Sequence, residues 1–157
     1  MPDLHELHTL RESAGGFNEL FDLVDATAAS SRNVPLPPIL LLGGPGVGKT
    51  FVAQRLASAL GSSSRVVDMT ALQSNGFFTG SEKHWSDATS GLLFDLLVSG
   101  KYANPTIVLD EIEKISRNRN HDPMQTLHTL LEVETSSRLC DLCTDVELAY
   151  LDRAQSQ

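Results

Sequence analysis

The stretch Ile39-Leu40-Leu41-Leu42-Gly43-Gly44-Pro45-Gly46-Val47-Gly48-Lys49-Thr50 decides how this chain is read. A short, unbroken apolar run such as Ile39–Leu42 fits a parallel strand buried on both faces. The residues after it, Gly43 to Thr50, match the spacing G-x-x-x-x-G-K-[ST] in full. Glycines let the backbone curl so that successive N–H groups point at one spot. A helix follows from about Lys49 to Leu60, with Val52, Leu56, Ala59 and Leu60 as its apolar face and Gly61 beyond its end. The positive end of that helix favours an anion at the same spot. Two phosphates fit there. Lys49 reaches the β- and γ-phosphates, and the Thr50 hydroxyl is a hard oxygen ligand suited to Mg²⁺. The expected nucleotide site is therefore Gly43, Gly44, Pro45, Gly46, Val47, Gly48, Lys49, Thr50 and the adjoining Phe51, with ATP and Mg²⁺ as its cofactors.

A second element has to complete such a site. Thr106-Ile107-Val108-Leu109-Asp110 reads as a strand ending in a carboxylate, followed at once by Glu111. Ligands of open α/β sheets bind at the carboxyl ends of the strands, which is where Asp110 would lie. Asp110 is expected to join Thr50 in holding Mg²⁺. Glu111 is expected to orient and deprotonate water. A kinase passes its phosphate to a bound hydroxyl and should exclude water, so the paired carboxylates favour hydrolysis. Lys49 and Glu111 are the expected catalytic residues.

The remaining segments alternate. Leu4, Leu7 and Leu10 have weak helical spacing up to Gly15-Gly16, and residues 17–30 read as a helix with Phe17, Leu20, Phe21, Val24 and Ala28 on one face. Val34–Pro38 is an extended, proline-rich connector. Arg65–Met69 is a further strand, and Leu92, Leu93, Leu96 and Leu97 mark a helix closed by Gly100. Asp122-Pro123, with Gln125 following, opens a last helix carrying Leu127, Leu130 and Leu131. Phe77 and Phe78 are expected in the core. Helix–strand alternation predicts an α/β fold, a P-loop NTPase with a parallel β-sheet flanked by helices. Residues 1–37 form an N-terminal helical segment and linker, and residues 38–157 the ATPase core.

Composition narrows the partners. A chain of 157 residues is about one domain, and its formal net charge of −8 argues against nucleic acid as the main partner. No apolar run approaches the roughly 18–20 residues that span a bilayer, and the first residues are not a basic stretch leading into an apolar one. A cytoplasmic location is the expectation. Cys140 and Cys143 are spaced C-x-x-C without the second pair or histidines of a zinc site, and are expected as reduced thiols. His5, His8, His84, His121 and His128 have no metal-binding spacing, and Arg117, Arg119 and Arg138 read as surface charges.

Taken with their surroundings, Leu40–Thr50 and Ile107–Glu111 resemble the paired nucleotide motifs of the AAA+ ATPases, Walker A and Walker B. Asn104-Pro105-Thr106-Ile107-Val108-Leu109-Asp110-Glu111-Ile112-Glu113-Lys114 and the later Asp122-Pro123 with Leu130-Leu131-Glu132-Val133 are similar to the ATPase domain of the Lon protease family. The resemblance covers roughly Pro38 to Leu148. It implies a ring of identical subunits acting on a polypeptide. It also implies that Gly80–Gly91 is a pore loop with Trp85 at its aromatic position. In this sequence Ser86-Asp87 follow Trp85, where the family has an aliphatic residue and glycine. Trp85 either grips a polypeptide or packs beneath its loop. Nothing resembles the proteolytic Ser-Lys pair of that family, so no peptidase activity is expected in this chain. The family's sensor asparagine, arginine finger and helical lid have no counterpart here. Either Val146–Leu151 supplies the strand expected beside the Walker B strand, or the ATPase core is truncated. The expected function is ATP binding and hydrolysis coupled to protein remodelling. The alternatives are nucleotide binding without turnover and a P-loop kinase.

Overall fold

The computed structural model describes residues 3–30, 36–72, 76–82, 84, 86–99, 105–115, 123–132, 135, 140–144 and 146–147. The chain forms two compact units, Met1–Ser62 and Ser63–Gln157.

The first unit is helical. Helix α1 (Leu4–Ser13) starts where the Asp3 carboxylate accepts hydrogen bonds from the backbone N–H groups of His5 and Glu6, each at 3.0 Å. These groups lack partners at any helix start, so the cap contributes about 1 kcal/mol. Helix α2 (Asn18–Ser30) is tied to α1 at the surface, where Arg11 pairs with both Asp22 and Asp25. Helix α3 (Lys49–Ala59) ends in a Schellman turn. There Gly61, at φ 71°, donates to Ser58, and Ser62 donates to Ala57. Leu10, Leu20, Phe21, Val24, Val52 and Leu56 make the buried core of this unit. They lie on the faces that helical spacing predicts, but Leu4, at 77%, and Ala28 are exposed.

Residues 39–42 depart from expectation. They form no strand. Leu41 packs on the core of the first unit, but Leu40 is 68% and Leu42 83% exposed. A strand needs a neighbour to accept and donate its ladder bonds, and every described regular element of this unit is helical. The apolar run is irregular, and only Leu41 of its four residues packs on the core.

The second unit holds the sheet. Strands β1 (Ser64–Asp68) and β2 (Thr106–Asp110) pair in parallel, with Ser64 opposite Thr106 and Asp68 opposite Asp110. Between them in sequence lie α4 (Gly76–Thr79) and α5 (Leu92–Ser99), and α6 (Pro123–Leu131) follows. Asp122, expected to open the last helix, lies outside the described residues, as do Gly100, Asn104, His121 and the three arginines read as surface charges. Val67, Met69, Phe78 and Leu127 form the core, with Leu92, Leu93 and Ile107 packed against it. Phe78 is 1% exposed, whereas Phe77 is 36% exposed and meets it edge to face. Val146–Glu147 is strand β4, but it pairs antiparallel with β3 (Cys140–Asp141) and not with β2. The described part of Val146–Leu151 therefore belongs to a separate hairpin and does not extend the parallel pair. No described helix is long and apolar enough to cross a membrane.

Candidate nucleotide site

Gly43–Val47 form an exposed loop leading into α3. Gly46 and Gly48 sit at φ 76° and 87°, the left-handed region where a side chain is strained. Gly48 is also the N-cap of α3, and its carbonyl accepts from the Val52 N–H at 2.9 Å. A Cβ on Gly44, Gly46 or Gly48 would meet no atom within 4 Å, so nothing packs against the loop at these three positions. The Lys49 ammonium folds back over that loop and donates to the carbonyl oxygens of Gly43 and Gly44, both at 2.9 Å. A loop with that cation across it, at the positive end of an eleven-residue helix, is chemically suited to an oligophosphate. Thr50 and Phe51 occupy the first turn of α3, and Phe51 is 60% exposed.

In the second unit the C-terminal ends of β1 and β2 bring carboxylates together. Asp110 accepts a hydrogen bond from the Glu111 N–H at 3.0 Å. Glu111 has φ 57°, the only described non-glycine residue with positive φ. That conformation costs a non-glycine residue about 1–2 kcal/mol. It turns the chain sharply out of β2 into the short 3₁₀ turn Ile112–Lys114, where the Lys114 N–H donates to the Glu111 carbonyl at 2.9 Å. The same turn lets the Lys114 ammonium reach the Glu111 carboxylate. That carboxylate holds the Lys114 pKa above its ordinary 10.5, first by hydrogen bonding and then by charge.

Sequence reasoning missed Asp68, which lies opposite Asp110 in the parallel register. Its carboxylate accepts from the Thr70 hydroxyl at 2.6 Å and the Thr70 N–H at 2.8 Å. Those bonds, led by the hydroxyl, hold its pKa below the ordinary 3.8, and Lys114 adds a smaller attraction. Only the pairing of Arg65–Met69 with Thr106–Asp110 would have revealed it, and register is not written in either strand alone. Trp85 lies outside the described residues, while the anchors of its loop, Gly80, Ser81, Thr89 and Gly91, are described. Among the described residues no cluster of His, Cys, Asp and Glu could hold a metal alone, and the two cysteines form no disulfide.

Comparison with known proteins fits this geometry. Residues 39–149 match the family described as "ATPase family associated with various cellular activities (AAA)". A Lon protease of Rickettsia felis is 30% identical over 122 residues, which are 78% of this chain and 16% of that protein. A Lon protease of Magnetococcus marinus is 32% identical over 69% of the chain and 13% of its own length. "Lon protease homolog 2, peroxisomal" of Pichia angusta is 34% identical over 72% of the chain and 12% of its own length. The chain thus spans less than a fifth of each of these relatives. The match covers the glycine loop, both parallel strands and the carboxylate turn, and the chain belongs to the AAA family of ATPases, as an ATP-binding module of Lon-like sequence.

Proposed function

We propose that this chain binds Mg-ATP through Gly43–Phe51 and hydrolyses it with Asp110 and Glu111. The observation that carries the reading is the exposed glycine loop at the start of α3, bridged by Lys49 and with nothing packed on Gly44, Gly46 or Gly48. In this reading the Lys49 ammonium leaves the two carbonyls for the β- and γ-phosphates. The Thr50 hydroxyl and the Asp110 carboxylate would hold Mg²⁺, which when bound neutralises phosphate charge. Glu111 takes a proton from water as its oxygen bonds to the γ-phosphorus and the bond from that phosphorus to the β–γ bridging oxygen breaks. The family match over residues 39–149 supports residues 38–157 as the ATPase core and residues 1–37 as an N-terminal helical segment.

Coupling follows the relatives. Their names are those of Lon proteases, which supports a ring of identical subunits acting on a polypeptide, with the Gly80–Gly91 loop and Trp85 as the contact. We assign no peptidase role to these residues. A cytoplasmic location belongs to the same proposal, although the name of one relative places it in the peroxisome.

Titration with a fluorescent ATP analogue and Mg²⁺ tests the reading. Saturable binding is expected, reduced at least about tenfold in Lys49→Ala, as befits loss of a charge-assisted contact. Glu111→Gln should keep binding and lose turnover. Wild-type turnover in that variant would remove Glu111 from the base position. One observation favours a second reading, binding without turnover: the Glu111 carboxylate is already engaged by Lys114. ATPase assays against protein concentration separate the two. Specific activity should climb with ring assembly in the first and stay flat near zero in the second.

A further inference from the structure

Asp141 is the one charged residue among the described residues that is buried outright, at 0% exposure. An ionised carboxylate leaves water at a cost of several kcal/mol unless donors surround it. Here four donors do. One oxygen, Oδ1, accepts from the backbone N–H of Cys143 at 3.1 Å, the N–H of Thr144 at 2.9 Å and the Thr144 hydroxyl at 3.0 Å. This caps the turn between β3 and β4. The other oxygen, Oδ2, does something else: it accepts from the Gly91 N–H at 2.6 Å, fifty residues earlier in the chain.

Gly91 closes the loop that begins at Gly80. The two strands of its neck are pinned together, since Ser81 N–H donates to the Thr89 carbonyl at 3.0 Å and Thr89 N–H donates to the Ser81 hydroxyl at 2.9 Å. The neck is also tight. A Cβ on Gly91 would collide with the Phe78 carbonyl and the Gly80 nitrogen, and one on Gly80 would press on Asp141 Oδ2 and the Thr89 carbonyl. Gly80 adopts φ 80° besides. A second bond fixes the hairpin to the same place, from Leu142 N–H to the Thr79 carbonyl at 2.7 Å.

We propose that Asp141 is the positioning residue for the neck of this loop, holding Gly80, Ser81, Thr89 and Gly91 in the arrangement that polypeptide contact requires. This rests on the reading of that loop as the polypeptide contact. The two carboxylate oxygens do separable work, and an amide distinguishes them. In Asp141→Asn the retained oxygen still caps the turn, while the NH₂ group faces the Gly91 N–H, donor against donor.

The test uses the full chain and compares Asp141→Asn with Thr144→Val, which weakens the turn cap and leaves Oδ2 untouched. Two quantities are read: hydrogen exchange at the Gly91 amide, and affinity for fluorescein-labelled casein as an unfolded polypeptide. Protection of the β1–β2 amides serves as the check on folding. In Asp141→Asn, exchange at Gly91 should rise about tenfold and casein affinity fall several-fold, with Thr144→Val near wild type in both. Unchanged exchange at Gly91 would overturn the clamp. Equal loosening in both variants would reduce Asp141 to a turn cap and overturn the proposal as well. Faster exchange with unaltered casein binding would overturn the positioning role by removing the loop from polypeptide contact, while the clamp itself stood. If Asp141→Asn loses β1–β2 protection, Ser81→Ala, which unpins the neck at Thr89, supplies the same two readouts with the same expected directions.

Discussion

The two units each pin the ends of an irregular loop, and they do it differently. The Gly43–Gly48 loop is held by its own neighbours: two positive-φ glycines, the start of α3, and Lys49 reaching back to carbonyls five and six residues away. The Gly80–Gly91 loop is held from afar, by a buried carboxylate fifty residues downstream and by packing against Phe78. A loop with local supports needs nothing packed on it to keep its course, and nothing within 4 Å of a Cβ on Gly44, Gly46 or Gly48 crowds it. A loop with distant supports inherits its shape from the core, so damage to the core should reach it.

The largest expected effect follows from that dependence. Phe78→Ala removes the largest fully buried side chain of the second unit and should cost about 3–5 kcal/mol. Urea denaturation followed by Trp85 emission, the single tryptophan of the chain, measures it. A loss under 1 kcal/mol would mean that the loop neck does not lean on this core.

The same small substitution made in both loops sharpens the contrast. Gly91→Ala forces a Cβ into backbone atoms, which cannot swing aside as a side-chain end can. It should cost about 1–3 kcal/mol. Gly48→Ala meets no atom within 4 Å, and its cost is only that of a left-handed alanine, about 1 kcal/mol. Equilibrium unfolding of the two variants should rank them in that order. The reverse ranking would break the distinction between local and distant support.

The smallest effect is in the acid range. Asp68 is exposed, and its pKa is lowered by Thr70. A depressed carboxylate contributes stability above its ordinary value and loses it as pH falls through the folded value. Thermal melts should therefore show a slight advantage of wild type over Asp68→Asn at neutral pH, which is lost only as pH falls below the ordinary 3.8 and through the lower folded value. A persistent advantage in strong acid would show that Asp68 acts by shape and not by charge.

What could be read beforehand follows the same division. The glycine loop and the positive-φ turn into α3 were legible because their determinants sit within eight consecutive residues, and the end of α3 because Gly61 marks it. Strand β2 carried its own β-branched signature and ran from Thr106 to Asp110 as expected. Residues 39–42 read equally well as a strand, yet an apolar run specifies burial and not a ladder partner. The role of Asp141 could not be read from sequence, since nothing near it names Gly91, fifty residues away, as its donor. The pairing of Glu111 with Lys114 was local, but it depends on a left-handed backbone at Glu111 that a glutamate seldom adopts.

The half-covered run at residues 39–42 has a colloidal consequence. Leu40 and Leu42 leave apolar side chains in solvent side by side with Ile39, the kind of exposure that invites association between copies. A formal charge of −8 at neutral pH keeps such copies apart by repulsion. That protection vanishes near the isoelectric point of about 4.9, so mild acidification and high salt, which both weaken repulsion, are the conditions under which this chain should leave solution.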